Sequence, residues 1–263
     1  MLGAIVGDIV GSRYEWFNHR SKIFDLFSNE CFVTDDSIMT LAIGKALLIS
    51  RPDYRDLAKN AVKCMQTIGR YYPDCGYGDR FYDWIFSDNP QPYNSFGNGA
   101  AMRVSAVGFV AQSLDQAKWL SKQVTAITHN HSEGIKGAEA TAVAVFLAKT
   151  GYSIAQIREY IDKYYYPMNF TLDEIRGPYL FNETCQETVP QALQTFFESV
   201  GFEDAIRNAI SIGGDSDTIA AICGGIAQAY YGVPPEIERT ALSYLDDRLL
   251  ALLEEFQHQI DKG

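Results

Sequence analysis

Two short acidic strings, Thr34-Asp35-Asp36-Ser37 and Gly214-Asp215-Ser216-Asp217-Thr218, each stand directly before an apolar run at helical spacing. Asp36 and Asp215 are 215 − 36 = 179 positions apart, so only folding can bring the strings together. If they converge, like charges repel by about 4 kcal/mol per pair at roughly 4 Å and an effective dielectric near 20. A cation would relieve that repulsion. Carboxylate and hydroxyl oxygens are the ligands of Mg2+, Mn2+ or Ca2+ rather than of zinc. Asp, Ser and Thr are also the preferred helix N-caps, so either string taken singly is accounted for by capping. Two strings, each doubled in acid and flanked by threonine, exceed what capping needs and favour a metal site.

Three further strings carry chemistry. In Ser95-Phe96-Gly97-Asn98-Gly99-Ala100-Ala101-Met102-Arg103 the two glycines around an asparagine make a loop whose backbone N–H groups can converge on an anion; the same residues also make an ordinary turn. The Gly-Lys-Ser/Thr ending of a P-loop is missing, so triphosphate hydrolysis is not indicated. Thr128-His129-Asn130-His131 offers two of the four histidines, as caps, as pocket lining or as satisfied structural groups. Gly7-Asp8-Ile9-Val10-Gly11-Ser12-Arg13-Tyr14-Glu15 sets Asp8 and Glu15 seven apart, on one side of a helix. Asp8, in an apolar segment, is expected to be a buried, hydrogen-bonded structural acid, whereas Glu15 can reach a site.

The elements that must position these groups read as helices. Apolar residues recur at helical spacing in Ile38–Ile49, Leu57–Ile68, Ala100–Val110, Ala117–Ile127, Ala138–Leu147, Ala192–Val200, Ile219–Tyr230 and Leu242–Phe256, and β-type alternation is almost absent. An all-α, compact multi-helix fold is expected, forming one domain over residues 1–263, since no linker or composition shift divides the chain. Gly3, Ala4, Gly7 and Gly11 in the first helix, and Ala220, Ala221, Gly224, Gly225 and Ala227 after Asp217, mark close helix approach. Tyr71–Phe96 and Tyr164–Glu187 are the expected irregular regions.

A net charge of −11 argues against nucleic acid as a partner. Five scattered cysteines without a C-x-x-C pair fit reduced thiols. The opening residues lack a basic region and meet Asp8 early, unlike a signal peptide, and the longest apolar stretch is too short and glycine-rich to span a bilayer. A cytoplasmic location is expected, with no membrane partner.

Taken in order, G-D-x-x-G-x-x-x-E, T-D-D-S, G-N-G-A-A-M-R, T-H and G-G-D-S-D-T-I-A resemble the ADP-ribosylglycohydrolases from Gly3 to about Gly232. That resemblance implies an all-α fold with a dimetal cleft, holding two Mg2+ (or Mn2+) ions, and hydrolysis of the bond between ADP-ribose and an acceptor. By motif match it implies Thr34, Asp35, Asp36, Asp215, Asp217 and Thr218 as metal ligands, with Asp217 bridging both ions. Gly97, Asn98, Gly99 and Met102 match the loop around ADP-ribose, His129 matches a substrate-contacting histidine, and Glu15 matches an acid beside the metal. Asp36, Asp217 and Glu15 are the catalytic candidates, and Glu15, Asp36 or a metal-bound water is the candidate acid.

The expected substrate is an ADP-ribosylated protein, arginine-linked in the first instance. Serine-linked ADP-ribose, O-acetyl-ADP-ribose or another small ADP-ribosyl compound is the alternative, and a non-catalytic ADP-ribose-binding protein a third. Some relatives place a carboxylate just before the glycine loop where this chain has Asn94-Ser95, which bears on the choice of leaving group. A terpene-synthase-like helical enzyme fits poorly, because Asp35-Asp36 is followed by Ser37-Ile38-Met39 and no further acid.

Overall fold

The computed structural model describes residues 1–260; the last three residues of the expected 1–263 domain lie outside the described residues. In chain order the helices are α1 Leu2–Gly11, α2 Asp35–Ile49, α3 Leu57–Gly69, α4 Asp79–Phe86, α5 Gly99–Met102, α6 Ser105–Val110, α7 Leu114–Thr125 and α8 Ser132–Lys149. They continue with α9 Ile154–Tyr164, α10 Leu172–Ile175, α11 Cys185–Phe197, α12 Phe202–Ser211, α13 Ser216–Tyr231, α14 Pro235–Leu242 and α15 Asp247–Ile260. Among the described residues no strand forms; a single antiparallel bridge joins Gly97 to Thr184. The all-α expectation holds.

Hydrophobicity sorts the helices into a centre and a shell. All ten residues of α1 are buried, and α13 is buried from Ser216 to Ala227. A helix apolar on every side is stable only when other helices surround it, and α2, α8 and α11 do so. Helices with one apolar stripe, such as α3, α12 and α15, close the outside.

The α1–α13 contact depends on missing side chains. A methyl group at Gly3 would overlap the Gly224 carbonyl, one at Gly7 would overlap the Ala220 carbonyl, and one at Gly11 would sit 2.5 Å from the Asp217 Cα. The small-residue stripe thus brings the start of α13 against the end of α1, and with it Asp217 towards Asp8 and Glu15.

Two expected helices are each broken in two. Ala100–Val110 is α5 and α6, because the chain turns at Arg103 (φ −93°, ψ 0°) to bury that side chain completely. Leu242–Phe256 is the end of α14 and most of α15, separated where the Asp246 carboxylate accepts from the Leu249 amide at 2.9 Å and starts a new helix. The region expected to be irregular at Tyr71–Phe96 contains α4, whose Phe81 and Trp84 stack on its buried side. Tyr164–Glu187 contains the short α10 and the first turn of α11.

Candidate active site

Asp8 organises the first acidic string. Fully buried, its carboxylate accepts from the Thr34 amide (3.1 Å) and hydroxyl (2.6 Å), from the Ser37 amide (3.1 Å) and from the Ser37 hydroxyl. This is the structural acid expected from its apolar segment. Thr34 in turn caps α2, accepting from the Asp36 amide at 3.2 Å. Asp35 donates its amide to the Cys75 carbonyl, and its side chain lies against Gly76, where φ is +112°.

The second string enters the same cleft. The Thr218 hydroxyl donates to Asp36 Oδ2 at 3.1 Å, joining residues 182 positions apart. Ligand oxygens of Glu15, Asp215 and Asp217 lie within 4.8 Å of one another, with Glu15 half-buried and the two aspartates buried. Asp215 accepts from Asn98 Nδ2 at 2.7 Å, which ties the glycine loop to the acids. Asp35, Asp36, Glu15, Asp215, Asp217 and Thr218 line one cleft of about 320 Å³, together with Gly97, Asn98, Gly99, Met102 and His129. Thr34 does not line it, and its hydroxyl is already engaged twice; among the expected ligands it has the least support.

The glycine loop differs from its expected form. Gly97 donates its amide to Ser95 Oγ and Asn98 donates its own to the Glu183 carbonyl, so these two do not point at a ligand. The Gly99 amide remains without an intramolecular acceptor at the cleft wall. Anion contact from this loop is therefore narrower than a full amide cradle. The two histidines separate: His131 caps α8 by accepting from the Glu133 amide, while His129 lines the cleft.

A sequence model described as ADP-ribosylglycohydrolase matches residues 1–262. The chain belongs to the ADP-ribosylglycohydrolase family. Among curated relatives it is 25% identical to the ADP-ribosylhydrolase ARH3 of Homo sapiens, covering 95% of this chain and 90% of that one. It is 26% identical to the ADP-ribosylarginine hydrolase Tri1 of Pseudomonas putida, covering 100% and 78%. The ADP-ribosyl-[dinitrogen reductase] glycohydrolase of Rhodospirillum rubrum is 26% identical, covering 99% and 92%. A solved structure titled an ADP-ribosylglycohydrolase-related protein complex superposes with a TM-score of 0.69 at 22% identity, over 95% of this chain and 94% of that one, and so supports the fold.

In this ADP-ribosylglycohydrolase the acids are held against their charge. Burial, then the charge of Asp217, pushes Asp8 up to about 7 and Glu15 up to about 8. The same causes raise Asp35, Asp36 and Asp215 well above the usual carboxylate range, and burial also raises Asp217. Among the described residues, none of these acids forms an ion pair with lysine or arginine. Asp36 Oδ1 is buried with no hydrogen-bond partner among the described residues. Convergent, unneutralised carboxylates with an orphaned oxygen fit a hard divalent cation, the chemistry expected of them from their residue types.

The sequence strings did not single out several residues of this site. Glu183 holds the Asn98 amide with its carbonyl, and Arg80, Phe81 and Tyr93 form part of the cleft wall. Tyr93 and Glu183 sit in loops, and Arg80 and Phe81 in the short α4 within a stretch expected to be irregular, so the strings did not signal them. Arg103 stood in the glycine-loop string without a role. The five cysteines are free, four of them buried. No helix among the described residues is long and apolar enough to cross a membrane.

Proposed function

We propose that this chain is a metal-dependent hydrolase that releases ADP-ribose from a modified protein side chain, arginine in the first instance, in the cytoplasm. The observation that carries it is the union of the two acidic strings in one cleft, through the Thr218–Asp36 hydrogen bond and the Glu15–Asp215–Asp217 cluster, beside the glycine loop. The relative Tri1 is named for ADP-ribosylarginine, and Glu183 brings to the cleft lining a carboxylate that suits a cationic guanidinium.

Asp35, Asp36, Asp215, Asp217 and Thr218 would hold two Mg2+ or Mn2+ ions, with Thr34 supporting them from behind. When bound, such ions supply Lewis-acid polarisation of the ribose hydroxyls and of the attacking water. The chain's own residues do the rest. Asn98 keeps Asp215 in place, the Gly99 amide and His129 meet the ADP-ribose moiety, and Met102 packs beside them. Water adds to C1″ as the bond to the side-chain nitrogen breaks, and that nitrogen leaves only if it gains a proton. Glu15, the half-buried member of its cluster, is our candidate to hand over that proton and then to take up the one lost by the attacking water, while Asp36 and Asp217 would stabilise positive charge growing on the sugar.

The deciding experiment offers arginine-, serine- and acetyl-linked ADP-ribose side by side, with and without Mg2+ or Mn2+. Release from the arginine-linked substrate that EDTA abolishes and metal restores supports the proposal. Turnover only of an O-linked substrate would move the leaving group and keep the site. Tight ADP-ribose binding with no turnover of any substrate would make this a binding protein.

A further inference from the structure

Arg103 is 0% exposed and has no carboxylate partner among the described residues. Among the described residues its Nε and Nη1 have no acceptor. Beyond a Phe81 ring 5.5 Å away, its guanidinium is engaged only through Nη2, which donates to Thr128 Oγ1 at 2.6 Å and lies 3.3 Å from His129 Nδ1. A core needing only volume here is better served by methionine or leucine, because a buried charge without a partner is strongly unfavourable. The position needs a reason, and its one engaged nitrogen supplies it.

The hydrogen bonds around His129 favour one of its two neutral tautomers. Arginine can only donate, so Thr128 Oγ1 must accept from it. The Thr128 hydrogen then has two acceptors in range, His129 Nδ1 at 2.7 Å and the Thr125 carbonyl at 3.4 Å, and the nearer is Nδ1. The alternative, an Nδ1–H donating to Thr128 Oγ1 while the Thr128 hydroxyl turns to the Thr125 carbonyl, relies on the longer bond and sets two N–H donors, Nδ1 and Arg103 Nη2, 3.3 Å apart. The arrangement with the shorter bond puts the hydrogen of a neutral imidazole on Nε2. That nitrogen lies on the glycine-loop side of the ring, 3.6 and 3.5 Å from where side chains at Gly97 and Gly99 would begin. Glycine at both positions keeps the path from Nε2 into the cleft clear.

We propose that Arg103 is a positioning residue: with Thr128 it fixes His129 as the neutral imidazole whose Nε2–H donates into the cleft, to an acceptor oxygen of the ADP-ribose moiety. This rests on the ligand being ADP-ribose, as proposed above. The surroundings support it from every side. Arg103 faces the ring from the α5–α6 junction, Arg80 of α4 packs on the Tyr93 ring, and Tyr93 lies 5.9 Å from the imidazole. Burial, then the charges of Arg103 and Arg80, holds His129 well below the usual histidine range, whereas Arg103, lowered to about 10, stays protonated. His129 is thus a fixed donor and does not act as a base.

Long-range 1H–15N NMR of the full-length protein reads the tautomer directly, with the His129→Gln spectrum identifying the signal. The wild type should show a neutral Nε2–H imidazole from about pH 6 to pH 8. Arg103→Met should mix the two neutral tautomers, with burial still keeping the ring uncharged in that range. In calorimetry it should weaken ADP-ribose binding about tenfold, as expected for one misdirected hydrogen bond, and KM should change more than kcat. Thr128→Val should act in the same direction and Thr128→Ser should restore the wild-type behaviour, so this pair carries the test if Arg103→Met fails to fold. A wild-type Nδ1–H tautomer, or a folded Arg103→Met with tautomer and affinity unchanged within about twofold, would overturn the proposal. Wild-type protein that does not bind ADP-ribose would instead defeat the functional reading, and the spectrum would still decide the tautomer.

Discussion

The two helix starts that carry the acids are built in different ways. At α2, Thr34 caps the helix in the ordinary manner, and the buried Asp8 gathers the Thr34 and Ser37 amides and hydroxyls. At α13 the N-cap residue Asp215 makes no side-chain cap bond among the described residues, and Asp217 Oδ1 accepts from the Thr218 amide at 3.0 Å. Gly213 and Gly214 take positive φ (+68° and +81°), and Asn18 holds the Gly214 amide at 2.6 Å. Arg20 joins the same turn through the Ile212 carbonyl and binds the Arg176 and Tyr179 carbonyls as well. The first start therefore delegates capping to Thr34 and Asp8 and leaves Asp35 and Asp36 for the cleft. The second is shaped by glycines and a neighbouring loop, so the Asp215 side chain makes no cap bond and instead meets Asn98 at the cleft. Capping explains Thr34; it does not explain the four aspartates.

Removing an acid from the uncapped start should have the largest effect. Asp217→Asn should reduce ADP-ribose release by about a hundred- to a thousandfold while circular dichroism stays that of a folded helical protein. The metal-induced rise in melting temperature should disappear with it. An active Asp217→Asn enzyme would show that the α13 string is not the centre of the site.

Titration of the metal-free protein sharpens the comparison next. Asp8 and Glu15 stand at about 7 and about 8 in the fold, above their ordinary values of 3.8 and 4.5. Between these limits the folded protein holds protons that the unfolded chain has lost, so stability falls as pH rises through that window. After EDTA, the melting temperature should decline from about pH 5 to pH 8, with the groups around Asp217 responsible. Divalent metal should flatten the profile, so its stabilising effect should grow with pH. A metal-free profile that rises over this range would contradict the arrangement of buried, unneutralised acids.

The same contrast explains what could be read from the residues alone. The acidic strings, the glycine stripe of α1 and the structural role of Asp8 are local patterns whose partners were of predictable type. The α13 turn was not legible in full. Gly213 and Gly214 stood in the string, but Asn18, Arg20 and Tyr179, which enforce their conformation, come from segments with no periodicity. The helix break at Arg103 was hidden because Ala100–Val110 keeps helical spacing across it, and the partners Arg103 meets at the break, Thr128 and His129, are distant in sequence. The break before α15 had a visible sign in Asp246, an acid three residues ahead of Leu249, obscured by the apolar residues on either side.

A smaller effect should follow from disturbing the capped start. Asp8→Ala would leave the amides and hydroxyls of Thr34 and Ser37 buried without their acceptor, lowering stability by about 2–4 kcal/mol in denaturant titration. Activity should fall with it, since Asp35 and Asp36 lose the support behind them. Stability unchanged within about 0.5 kcal/mol would mean that Asp8 does not organise α2.

The finest distinction lies between two threonines that the sequence placed in equivalent positions. Thr34 bonds backward, to Asp8 and the helix, while Thr218 bonds forward across the cleft to Asp36. Thr34→Ala should therefore act mainly on stability, by about 1 kcal/mol for a lost cap, with metal affinity nearly unchanged. Thr218→Ala, at a helix without a side-chain cap, should leave stability close to wild type and weaken Mn2+ binding several-fold in calorimetry, because it removes both a cleft oxygen and the bond that orients Asp36. If the two variants instead lose metal affinity equally, Thr34 is a ligand after all, and the two helix starts are more alike than their hydrogen bonds suggest.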